Sequence, residues 1–270
     1  MPSSRLAFFA LLLTSTAWGG QPWDDSELEW LMQEADAHPP REARLNLPPE
    51  RFAAIAADGN FVMPRQQVGD EARLMDAARR SDIEAVRALL KTGANPNVGD
   101  YWRDVPLMEA VRQDNLELAQ VLLDTGAVPN IKGRGYTPLG LAAKNGNVRL
   151  VEMLLRAGAD PDRKSDDGDT PMHGGALMGH ARVIDALARV RPDLRQFNRD
   201  GLSPLAVAAA NGQYDAARAL VVGAGASPDW GDKKLHPPLW WAFSVGDHDM
   251  ARLLLELGAA PGQLPVGALQ

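Results

Sequence analysis

Apolar residues recur along this chain at helical spacing, in short runs closed at both ends by residues that stop a helix. The clearest run spans 136–146. Thr137 has the side chain of an N-cap, and Pro138 takes the first helical position, where its missing N–H costs nothing. Leu139, Ala142 and Ala143 form an apolar face small enough for close packing, and Asn145-Gly146 supplies a left-handed stop. A second run follows, with Val148, Val151, Leu154 and Leu155 spaced three and four apart and an end at Gly158. The pattern predicts two antiparallel helices joined by a tight turn.

The same pair recurs. Pro106, Pro138, Pro171, Pro204 and Pro238 each open a first helix, at intervals of 32, 33, 33 and 34 residues. The second helices end alike, at Gly93-Ala94, Gly126-Ala127, Gly158-Ala159 and Gly258-Ala259. Asn95-Pro96-Asn97, Val128-Pro129-Asn130, Asp160-Pro161-Asp162 and Ser227-Pro228-Asp229 lead into the next unit. A 33-residue period of two helices and a turn, with Thr170-Pro171-Met172-His173, resembles the ankyrin-repeat family. The resemblance implies an all-α solenoid of about six units with short β-hairpin loops. The units are read as 70–97, 98–130, 131–162, 163–195, 196–229 and 230–262, with a loose tail at 263–270. A lone helix pair cannot bury its apolar face, whereas stacked pairs bury one another's.

Departures from the pattern carry information. Val105 replaces the capping threonine of the second unit and leaves Asp104 as a substitute; Arg191-Pro192 replaces the Gly-Ala end of the fourth. The fifth unit holds one extra residue near Val222-Gly223-Ala224-Gly225. The sixth opens with His236-Pro237-Pro238 and has no capping hydroxyl; Trp240, Trp241 and Phe243 are expected to fill the last interface.

Residues 1–20 differ in kind. Arg5 precedes the eight-residue apolar run Leu6–Leu13, and small residues follow up to Gly20. This is the pattern of a secretory signal peptide, too short to span a bilayer, with cleavage expected after Ala17 or Gly19. Residues 21–69 read as a small helical capping segment. Trp23, Trp30, Phe52 and Phe61 are too apolar to leave in water, each being worth roughly 2–3 kcal/mol when buried, so the segment is expected to cover the first repeat.

Composition narrows the chemistry. With no cysteine, disulfides, thiolate metal sites and cysteine nucleophiles are excluded. The net charge of −7 argues against nucleic acid as a partner. Twenty-two arginines against six lysines, with abundant alanine and glycine, fit a GC-rich bacterial genome, which makes the periplasm the expected destination. No histidine pair has metal-ligand spacing beside a carboxylate, and no nucleophile elbow, phosphate loop or dinucleotide fingerprint appears. His180 and His248 stand where second helices begin, and helix-start polarity accounts for them. The run Ser165-Asp166-Asp167-Gly168-Asp169 starts like a calcium loop but reaches Leu177, not glutamate, at its twelfth position. No catalytic residue, metal site or cofactor is expected.

The resemblance implies structural roles for Thr137, Pro138, Thr170 and His173, the last tying the helix start to Thr170. It also implies that partners bind a concave side built from hairpin tips and first-helix faces. Carried over by position, that surface comprises Tyr101, Trp102, Arg103, Arg134, Tyr136, Asp166, Asp167, Asp169, Arg199, Lys233 and Lys234 at the tips. Arg112, Gln113, Lys144, Asn145, Leu177 and Met178 come from first helices. The expected function is that of a monomeric, non-catalytic protein-binding module of the periplasm, with no membrane span once processed. Its leading form is an immunity protein or inhibitor that occludes a basic toxin or cell-wall hydrolase. Two alternatives stand beside it. One is a periplasmic support factor for oxidative-stress defence; the other is a hydrolase or metal-binding protein using the cluster Asp166–Asp169.

Overall fold

The computed structural model describes residues 69–99 and 104–261. The expected signal peptide, the capping segment up to residue 68, the tail from 263 and the tip residues Tyr101, Trp102 and Arg103 lie outside the described residues. Twelve α-helices run through the described part: α1 (Asp70–Arg79), α2 (Ile83–Lys91), α3 (Pro106–Arg112), α4 (Leu116–Asp124), α5 (Pro138–Asn145), α6 (Val148–Arg156), α7 (Pro171–Leu177), α8 (Ala181–Ala188), α9 (Pro204–Ala210), α10 (Tyr214–Arg218), α11 (Pro238–Ser244) and α12 (His248–Glu256). Odd-numbered helices pack on odd, even pack on even, and each pair closes on itself, so the fold is an all-α solenoid.

First helices form the interior. Six consecutive residues of α7 (171–176) and six of α9 (204–209) are buried. Their small side chains let neighbouring helices approach. A methyl group at Gly174 would stand 3.2 Å from the Gly140 carbonyl oxygen on α5, closer than carbon and oxygen normally sit. Second helices bury one stripe, such as Leu150, Val151 and Leu154 on α6, and turn the other face to water.

Helix ends follow the local chemistry. Thr137 and Ser203 each accept a backbone N–H three residues on, at 3.0 and 3.3 Å; Asp82, Asn115, Asn147 and Asp247 do so at the second helices. Each such cap is worth about 1 kcal/mol. Asp104 does not cap α3, whose N-cap residue Val105 makes no side-chain bond. Its buried carboxylate is held from the other side, as described below. Arg191 sits in the left-handed region (φ 53°) at the position glycine fills in other units. The extra residue of the fifth unit is absorbed by a π-helical turn, Ala219–Gly223, in which the Ala224 N–H reaches back to the Ala219 carbonyl at 2.9 Å.

Two ladders of hydrogen bonds join the units, one on each edge. On the hairpin edge, backbone N–H groups of Asp166, Arg199 and Lys233 donate to the carbonyls of Gly135, Asp167 and Gly201 on the preceding tips, at 2.7, 2.9 and 3.0 Å. On the loop edge, Asn97 donates to the Gly126 carbonyl (3.0 Å) and accepts from Val128 N–H (2.7 Å). Asn130 repeats this with Gly158 and Asp160. Asp162 and Asp229, lacking a donor, only accept, from Asp193 and Ala260. Arg195 occupies the same position in the fourth unit and makes no such bond; its guanidinium stacks over the Trp230 ring at 4.2 Å. His180 also serves the stack, its ring Nε2 lying 3.1 Å from the Lys144 carbonyl oxygen, and does not cap its own helix.

Candidate functional site

Capacity for recognition depends on which side chains along the hairpin edge are free. In the N-terminal half most are engaged. Asp104, fully buried, accepts two bonds of 3.0 Å from Arg112 and a further ion pair from Arg134; Arg112 also pairs with Glu109. Among the described residues, two arginines stand against two carboxylates in this cluster. Such a buried carboxylate is retained only because its partners compensate its desolvation. One register on, Tyr136 and Lys144 repeat the relation: the Lys144 ammonium donates to the Tyr136 hydroxyl (3.2 Å) and lies 5.0 Å from its ring centre.

Gln113 and Asn145 look backward instead of outward. The Gln113 amide donates to the carbonyls of Ala78 (3.2 Å) and Arg79 (3.0 Å) in the preceding unit. Asn145 donates to the Val111 carbonyl at 3.4 Å. Both take part in the stacking of the solenoid, as do Arg112 and Arg134.

The acidic run is dispersed. Asp166 pairs with Lys132 (3.2 Å), Asp167 with Arg199 (3.4 Å), and Asp169 accepts from Asn198 (3.0 Å). Among the described residues no three metal-ligating side chains converge. Each of these carboxylates is thus partnered across a repeat boundary.

Thr170 and His173 form a local lock. The Thr170 N–H donates to His173 Nδ1 (3.2 Å), and the Thr170 hydroxyl lies 2.8 Å from the same atom. An accepting Nδ1 places the ring proton on Nε2, which donates to the Leu202 carbonyl at 3.0 Å. Burial lowers the His173 pKa below its ordinary value; the Leu202 hydrogen bond and the Asp169 charge oppose this, and Lys164 adds to the lowering.

Free side chains lie further along. Leu177 is half-buried against the core, whereas Met178 and Val245, at equivalent positions after α7 and α11, are exposed. Lys233 and Lys234 on the last tip and Asp200 on the tip before it are exposed and, among the described residues, make no ion pair. Sequence reasoning missed Leu235, the most exposed of the large apolar residues described, at 83%. The register held the signal: Leu235 stands three residues before Pro238, where Gly135, Gly168 and Gly201 precede their own prolines. Below this tip, Trp240 stacks on His236 with ring centres 4.1 Å apart, and Trp241 donates from its indole N–H to the buried Asp232 at 3.2 Å. A cleft of about 180 Å³, lined by Leu194, Arg195, Phe197, Ser203, Trp230 and Gly231, lies near the loop edge.

A family model described as ankyrin repeats (3 copies) matches residues 74–165, 107–198, 139–232 and 172–263 in overlapping placements. The chain belongs to the ankyrin-repeat family. No curated protein matches it. Ankyrin repeats are protein-interaction modules and in general non-catalytic, so the free edge just described has a role to fill: contact with another protein. No described helix is long and apolar enough to cross a membrane.

Proposed function

We propose that this ankyrin-repeat protein is an exported inhibitor of the immunity type, acting as a monomer in the periplasm, where it neutralises a toxin or a cell-wall hydrolase by covering it. The observation that carries the reading is the distribution of free side chains. Among the described residues Arg112, Gln113, Arg134, Lys144 and Asn145 in the first half are engaged within the stack, while Met178, Asp200, Lys233, Lys234, Leu235 and Val245 remain exposed along the edge. A pre-ordered edge binds without the cost of ordering loops, which suits a stoichiometric blocker. Export is supported by the pattern of residues 1–20 alone.

The test is capture from a periplasmic fraction with the full processed chain, followed by assay of the retained protein at increasing molar ratios. Loss of its activity at equal stoichiometry is expected. A retained enzyme that stays fully active overturns the inhibitor reading, and retention of nothing overturns binding in that compartment.

A further inference from the structure

The last hairpin differs from the three before it. Three residues before Pro138, Pro171 and Pro204 the backbone is left-handed: Gly135, Gly168 and Gly201 have φ of 84°, 80° and 85°. Leu235 holds the same conformation, at φ 65°, with a branched side chain that glycine would spare. That side chain contributes little to the fold, being 83% exposed. An exposed leucine in a strained backbone is a cost twice over, and the surroundings hold it there. Asp232, buried beneath the tip, accepts the backbone N–H groups of Lys234 (2.7 Å) and His236 (2.9 Å) and the indole N–H of Trp241. The Leu235 N–H closes on the Asp232 carbonyl at 2.9 Å, and the Lys233 N–H binds the Gly201 carbonyl.

Charge singles out the same tip. On the preceding described tips Arg134, Asp166, Asp167 and Arg199 are matched by opposite charges, while Asp169 is held by Asn198 and Asp200 makes no ion pair. Among the described residues Lys233 and Lys234 make no ion pair, although Asp200 stands on the adjoining tip against which Lys233 packs, and both lysines are exposed. The molecule as a whole is acidic, at −7, yet this loop presents two unpaired ammonium groups around an apolar point.

We propose that the 232–236 hairpin is the anchor for an acidic segment of the partner protein, with Leu235 packing against its apolar side chains and Lys233 and Lys234 pairing with its carboxylates. This rests on the partner-binding reading above and gives the partner's contact surface the opposite charge to that expected from net charge alone. An exposed apolar side chain beside two charges that steer approach is an arrangement on which interface energy can concentrate once a partner covers it.

The test uses the full processed chain and a fluorescein-labelled peptide of alternating glutamate and leucine, with a lysine–leucine peptide of equal length as comparison. Anisotropy titrations compare wild type with Leu235→Gly, the double variant Lys233→Glu/Lys234→Glu, and Lys91→Glu as a distant control. The acidic peptide is expected to bind wild type and Lys91→Glu alike, more tightly than the basic peptide, and at least tenfold more weakly at high salt. The charge reversal is expected to weaken it at least tenfold, and Leu235→Gly about fivefold. Leu235→Gly relieves backbone strain, so its melting temperature should not fall, and weaker binding by that variant is not misfolding. Equal binding by wild type and both hairpin variants, or no preference for the acidic peptide, overturns the proposal. In the capture experiment above, a partner retained equally by wild type and both variants leaves the binding function standing and removes this hairpin from it.

Discussion

Gly168 offers the sharpest test of how the hairpin edge is held. Its backbone is left-handed (φ 80°), and a methyl group there would lie 2.8 Å from the Arg199 backbone nitrogen and 3.1 Å from the Asn198 carbonyl carbon. Gly168→Ala therefore meets two penalties. The left-handed conformation costs an alanine about 1–2 kcal/mol. Separating the hairpins also stretches the Arg199 N–H bond to the Asp167 carbonyl, now 2.9 Å, a further loss of about 1 kcal/mol. Gly158→Ala isolates the first penalty, because Gly158 has nearly the same φ, 87°, and nothing within 4 Å of the added carbon. Equilibrium urea unfolding of the two variants should place Gly168→Ala below Gly158→Ala by about 1 kcal/mol, or roughly 2–4 °C in Tm for a domain of this size. Equal destabilisation would refute the claim that backbone contact between successive hairpins stabilises the stack.

Arg191→Gly removes the left-handed arginine at the end of α8 and should raise stability by roughly 0.5–1 kcal/mol, read as a higher Tm; an unchanged or lower Tm counts against the strain. His173 gives a pH signature. Its folded pKa is lowered, chiefly by burial, so the unfolded chain takes up the proton first as pH falls below about 6.5. Stability contributed by the neutral ring is complete above that value and declines as pH drops toward the folded pKa; thermal melts from pH 8 to pH 5 should show a decline that His173→Gln flattens. Deleting residues 21–69 should lower the melting temperature if that segment covers the first repeat, and an unchanged melt removes the assignment. Mass analysis of exported protein should find a chain beginning at residue 18 or 20; an intact Met1 would end the signal-peptide reading.

Much of the solenoid was legible because its determinants are local. Thr137 and Ser203 cap, Pro138 and Pro204 open, and the glycines that end second helices lie where a left-handed residue is needed. These depend on neighbours three or four residues away, which a sequence displays. The site was less legible. Whether Gln113 points at a partner or at the Ala78 carbonyl is decided 35 residues away, in another unit. Asp104 reads as a helix cap until Arg134, from the following hairpin, is brought against it. The pairing of charges is hidden for the same reason: Asp166 and Asp167 are prominent in sequence, but that Lys132 and Arg199 reach them across the repeat boundary is not. Comparing equivalent positions between units recovers some of this, since it aligns Asp104 and Arg112 with Tyr136 and Lys144, and Leu235 with three glycines.

The stack is not fastened in the same way along its length. Between most neighbouring units both edges are fastened by hydrogen bonds or ion pairs, but between the fourth and fifth the loop edge carries Arg195, stacked over the Trp230 ring, where an Asn or Asp bridge stands elsewhere. The opposite edge of that junction keeps its bonds, from Arg199 to Asp167, His173 to Leu202 and Asn198 to Asp169. A cation over a ring is held by the ring's face and not along one donor–acceptor line, so this fastening is the least directional on the loop edge.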